Sequence, residues 1–185
     1  MADTNNLART MHDLGAAVWT GGSLMGAIGL NGATAEAADP SERVRMANAG
    51  WEKWTPVNLA AIAAHVAGGI GLLRGNKARL VGQKGVMAAN VAKTALTIGA
   101  LGATAYARVL GQKIIEAGPV PAESGVRPNG QTPPETAQAQ KQLALLQWAI
   151  PAMTAGVVVL GAVMGEQQRP TSFMAGLAAR LKSNR

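Results

Sequence analysis

The chain reads as an all-α, polytopic membrane protein: a bundle of four transmembrane helices with a basic amphipathic C-terminal helix, forming a single membrane domain over residues 1–185. Three observations predict this class. Residues 14–35, 54–73 and 142–165 carry no Asp, Glu, Lys or Arg, and each window matches the roughly 20 residues that cross the hydrocarbon of a bilayer. The connecting segments alternate between base-rich and charge-balanced, as the positive-inside rule requires of a multi-pass chain. The composition includes 23 glycines, with 48% hydrophobic but only 3% aromatic residues. Small residues of this kind suit close helix approach in lipid better than a water-soluble core.

Span one is expected over about 13–33. Its leader, MADTNNLARTMHD, is polar and lacks a signal-peptide cleavage pattern, so the span is expected to stay as an anchor. A first outer loop follows over 34–55. In it Pro40 and Ser41 predict a short capped helix, and Trp51 and Trp54 sit at the level where indoles favour the membrane–water interface. Span two is expected over 56–73. The segment RGNKARLVGQKG after it has Arg74, Lys77, Arg79 and Lys84 without an acid, which places it inside. Span three is bounded by Lys93 and Arg108, whose side chains can snorkel to opposite surfaces and widen it to about 88–112.

The second outer loop, 113–141, is rich in Pro, Gly and small polar residues and is expected to be extended and mobile on its own. Span four is expected over 142–165. In the tail 166–185, Phe173, Leu177 and Leu181 recur at helical spacing beside Arg180, Lys182 and Arg185, which predicts a basic helix on the inner leaflet. Both termini are thereby assigned to the cytoplasm.

The net charge of +7 and pI near 10.4 would suggest nucleic acid for a soluble protein, but no nucleic-acid motif or stacking platform is present. The bases are accounted for by cytoplasmic loops. With no cysteine, disulfides, thiolate metal sites and covalent haem attachment are excluded. Nothing resembles a catalytic triad, a pair of catalytic carboxylates, a phosphate loop or a zinc motif.

Two histidines remain. His65 lies near the middle of span two, where an ionisable group needs a partner or a cavity. It is the candidate ligand for haem b or copper, neither of them favoured over a neutral, hydrogen-bonded imidazole. Met25 is the expected depth match for it on span one. His12, at the inner boundary beside Asp13, is expected to lie too far from His65 for the two to clamp one haem. Lys93 is expected to snorkel inward or to pair with a carboxylate of another subunit. The small-xxx-small pairs Gly22/Gly26 and Gly161/Gly165 mark faces for close helix contact, and Trp51 and Trp54 are candidates for partner binding. No convincing internal repeat is read.

His12, Ala17, Trp19, Gly21 and Gly22, in HDLGAAVWTGG, resemble the first helix of the bacterial copper-resistance protein D group and related four-helix membrane proteins. The resemblance covers about 15 residues. It implies a four-helix bundle with a metal or haem connection, although the later histidines and methionine clusters of a copper importer are absent. The Ala/Gly/Val-rich composition points to a high-GC bacterium. The expected function is a non-catalytic accessory or assembly subunit of a larger complex in the bacterial plasma membrane, of respiratory type. Its partners are other membrane subunits and lipid. The alternative is a haem- or copper-binding redox or transport protein using His65.

Overall fold

The structure is a computed structural model that describes residues 2–75 and 86–166. The basic segment 76–85 and the expected amphipathic tail lie outside the described residues. The fold is all-α, with two very short strands. Helix α1 (Ala2–Met25) passes through a π-helical turn (Gly26–Leu30) into α2 (Asn31–Ala35). Helix α3 (Pro40–Gly75), helix α4 (Val86–Glu116), strands β1 (Ala122–Ser124) and β2 (Arg127–Pro128), and helix α5 (Pro134–Glu166) complete it. Two helices, α3 and α5, are long and apolar enough to cross a membrane.

The helices overshoot the expected spans at one end. At 36 residues, α3 is about 54 Å long, against about 30 Å of hydrocarbon. The first outer loop is therefore mostly helix. Asp39, not Ser41, is the cap: its Oδ1 accepts from the Ser41 amide at 2.9 Å, and Pro40 opens the first turn. Pro56 sits inside α3 without ending it.

The second outer loop is ordered. β1 and β2 pair antiparallel and press Val120 and Ala122 into a core with Val44, Ile114, Ala139 and Leu143. The segment has no periodic face because it offers isolated side chains to helix ends rather than a stripe. Side chains of α3, of α5 and of the loop itself bond its carbonyls, and Arg43 also ties it to the α2–α3 turn. Arg43 donates to the oxygens of Ala37, Ala122 and Glu123, Gln140 Nε2 donates to those of Ser124 and Gly125, and the Thr132 hydroxyl donates to Pro121 O at 2.6 Å. Fully burying a Val or Ile is worth about 1.5–3 kcal/mol, so this small core is enough to hold the loop down.

The four long helices pack as two antiparallel pairs, α1 with α3 and α4 with α5. The pairs meet through α1 and α5, whereas α3 and α4 scarcely touch. Between the pairs Trp19, Ala100 and Ile150 form a second buried cluster. The π-turn shifts the register of the chain, and Asn31 then faces α5, where its Nδ2 donates to Gln147 Oε1.

Candidate functional site

The α1–α3 interface is a series of large side chains set into glycines. Starting from the end nearest α2, the Leu30 side chain lies against Gly50, the Trp51 ring against Gly26, and the Trp54 ring against Gly22. A Cβ at Gly15 would collide with Ala61 O and His65 N, and one at Gly68 would collide with Ala8 O and His12 N. Gly69 lies against the His12 ring.

The last contacts are reciprocal, and the sequence explains why. Ala8, His12 and Gly15 on α1 have the same spacing as Ala61, His65 and Gly68 on α3. Each Ala-xxx-His-xx-Gly segment sets its glycine into the Ala-to-His turn of the other. The two antiparallel copies are thus related by an approximate two-fold axis. This short repeat went unread in the sequence because only three positions carry it and two of them are Ala and Gly, the commonest letters of the chain.

At the centre of the repeat the two imidazoles stack, with ring centroids 4.0 Å apart and planes inclined by 20°. His12 Nδ1 donates to His65 O at 2.8 Å, and His65 Nδ1 donates to His12 O at 2.9 Å. A carbonyl can only accept, so both rings carry the Nδ1 proton and leave Nε2 as the lone-pair nitrogen. On His65 that lone pair faces the Thr97 hydroxyl of α4, at 3.3 Å. Trp19 meets the His65 ring edge-on, with centroids 6.3 Å apart. Both histidines are buried, His65 to 1% and His12 to 8% exposure.

Two expectations are corrected here. His12 and His65 share one depth. His12 lies opposite Gly68 and Gly69, well short of the end of α3 at Gly75, and within a helix that starts at Ala2. They still do not clamp one haem, because stacked rings at 4.0 Å leave no room for a macrocycle between them. Met25 is not at the level of His65. It is 66% exposed and lies about 15 Å of helix beyond Gly15, the residue that does oppose His65.

Lys93 on α4 reaches the glycine face of α5. A Cβ at Gly161 would stand 3.2 Å from Lys93 Nζ and 3.8 Å from Asp13 Oδ1, and one at Gly165 would stand 3.6 Å from an Arg9 guanidinium nitrogen. Lys93 and Asp13 thus approach the same glycine, close enough for the carboxylate to act electrostatically on the ammonium. The residues singled out for interaction (Trp51, Trp54, Lys93, Gly22, Gly26, Gly161 and Gly165) meet one another or α1 inside the fold.

A lateral cavity of about 350 Å³ lies between α3 and α4. Leu59, Ile62, Leu101 and Ile150 line it together with the polar Asn58 and Thr104, and Asn58 Oδ1, Thr104 Oγ1 and the indole nitrogens of Trp51 and Trp54 are buried there without a hydrogen-bond partner. Arg108 stands 3.9 Å from Glu52, and both side chains are about half exposed. Among the described residues, no group of three or more His, Cys, Asp or Glu could hold a metal ion. No protein family, curated protein or solved structure matches this chain.

Proposed function

We propose that the chain is a four-span protein of the bacterial plasma membrane, with both termini cytoplasmic, and that it acts as a non-catalytic accessory or assembly subunit of a larger membrane complex, of respiratory type. One observation carries the reading: the apolar stretches face outward. Only 17% of the most apolar window of α3 and 33% of that of α5 is buried. Leu59, Ile70, Val91, Ile98, Val109, Leu145 and Val159 are all exposed. Soluble monomers rarely leave such continuous apolar surface open, whereas lipid or neighbouring subunits would cover it. The ordered outer cap adds a rigid platform beyond the bilayer, which suits docking to a partner.

Solubilisation from native membranes in mild detergent, followed by native electrophoresis and mass spectrometry, is expected to show a stable complex larger than the chain. A chain that runs alone under every mild condition sinks the accessory reading. The same sample tests the alternative of haem or copper on His65. Nδ1 protonation leaves Nε2 as the ligand-type atom, but a metal there has to displace the Thr97 hydroxyl. The expected spectrum has no Soret band, and one lost on His65→Ala would reverse the assignment.

A further inference from the structure

We propose that the cavity between α3 and α4 binds a hydroquinone, a flat neutral ring with hydroxyl groups on opposite edges. Its volume of about 350 Å³ falls within the range of small-molecule sites. Because α3 and α4 scarcely touch, the cavity is reached sideways between them. Leu59, Ile62, Leu101 and Ile150 give it apolar walls. Ligands in such sites are oriented by a few polar groups set into a hydrophobic wall, and four are present. Trp51 Nε1, Trp54 Nε1, Asn58 Oδ1 and Thr104 Oγ1 belong to lining residues, and each is buried without a hydrogen-bond partner. Buried polar side-chain atoms are paired in the large majority of cases, so four orphans around one cavity call for a common partner.

The orphaned atoms choose the ligand. The two indole N–H groups only donate, the Asn58 oxygen only accepts, and the Thr104 hydroxyl does either. The partner must therefore both accept and donate. It must also be neutral. Among the described residues that line the cavity, only Arg108 is charged, and its guanidinium already faces the Gln112 amide and stands 3.9 Å from Glu52. Position adds the last requirement. Glu52 meets Arg108, and His65 meets Thr97 at 3.3 Å, so α3 and α4 run antiparallel. Counting between those two contacts puts Thr104 level with residues 56–58. Trp54 and Asn58 on α3 thus face Thr104 on α4 at one level. An amphiphile with a single polar end would leave one wall unpaired. A hydroquinone reaches both walls: one hydroxyl accepts from an indole N–H and donates to Asn58 Oδ1, the other shares a hydrogen bond with Thr104 Oγ1, and the ring faces lie on the apolar side chains. A quinone has no hydroxyl proton and leaves Asn58 Oδ1 unmatched.

The test is isothermal titration of the full chain in mild detergent with duroquinol and with duroquinone, empty micelles serving as the blank for partition. Saturable binding of one duroquinol per chain is expected, with duroquinone weaker. Thr104→Val keeps the side-chain shape and removes the hydroxyl. It is expected to weaken duroquinol about tenfold, the loss of one buried hydrogen bond, and Thr104→Ser to restore it. Asn58→Leu is expected to erase the preference for the reduced ring. Heat no greater than that of the blank, or binding that ignores both Thr104→Val and Asn58→Leu, overturns the site. Equal affinity of the unaltered chain for the two rings overturns the hydroquinone assignment. A protein partner lost in Thr104→Val, with neither ring bound, also overturns it and gives the orphaned atoms to that partner. The site goes beyond the accessory reading, and its test is independent of the native-membrane experiment that decides that reading.

Discussion

At the residue scale, the histidine clasp is a packing device that depends on two glycines. Alanine at Gly15 or Gly68 would drive a methyl group into backbone atoms of the facing helix. Overpacking of this kind costs about 1–3 kcal/mol, more than the up to about 1 kcal/mol that alanine gains over glycine in helix propensity. Gly15→Ala and Gly68→Ala are expected to lower the unfolding midpoint in detergent. Gly21→Ala and Gly102→Ala, which meet nothing within 4 Å, are expected to leave it unchanged or raise it slightly. The imidazoles should behave as one unit, since each donates to the backbone of the other's residue. A double-mutant cycle of His12→Ala and His65→Ala is expected to give a coupling of about 0.5–3 kcal/mol; additive losses would mean that the stacking does no energetic work. The sequence made His65 conspicuous, because a histidine inside an apolar window demands a partner. It hid the identity of that partner, because depth was measured from charged residues. Asp13 marks the end of a charge-free window in the sequence, yet α1 runs on past it toward Ala2 and carries His12 against α3.

At the element scale, charge-free windows located the helices but not their ends. A window shows where a chain can enter hydrocarbon, and the water-side turns of α3 and α5 are charged without ceasing to be helical. Caps set those ends. The Ser41 hydroxyl and amide hold the Asp39 carboxyl below the usual carboxylate range. A carboxylate lowered on folding stabilises the first turn of α3 above its unfolded pKa, and the contribution is lost as pH falls through the folded one. In micelles, the Ser41 amide resonance is therefore expected to titrate with a midpoint below the ordinary 3.8 of an aspartate. Asp39→Asn is expected to remove that titration while keeping the cap, and Asp39→Ala to fray the turn. A midpoint at or above 3.8 would show that the capping bonds do not form. The 113–141 loop was illegible for a different reason. Its order comes from a Val and an Ala seated on three helix ends and from side chains of α3 and α5 that bond its carbonyls, contacts far apart in sequence that no local pattern encodes.

At the scale of the whole molecule, topology and packing constrain each other. α1 and α3 are antiparallel, as are α4 and α5, and the ordered cap gathers the ends of α2, α3, α4 and α5 on one side. If the bundle spans a bilayer, Asn31, Asp39, Gln131 and Pro134 must then share one face, and Arg74 and Val86 the other. The Lys/Arg count assigns the second face to the cytoplasm. The absence of cysteine makes this directly measurable, because a single introduced cysteine is the sole target for a thiol reagent. Gln131→Cys, at an exposed position of the cap, is expected to react with a membrane-impermeant maleimide in intact cells. Gln83→Cys is expected to react only after permeabilisation. Reversal of the two would keep the bundle and invert its orientation, against the count of basic residues in 74–84 and 166–185. Reaction of both in intact cells would remove the four-span reading. The outward-facing apolar windows of α3 and α5 would then have to be covered by protein alone, and the complex recovered in mild detergent would have to be large enough to bury them.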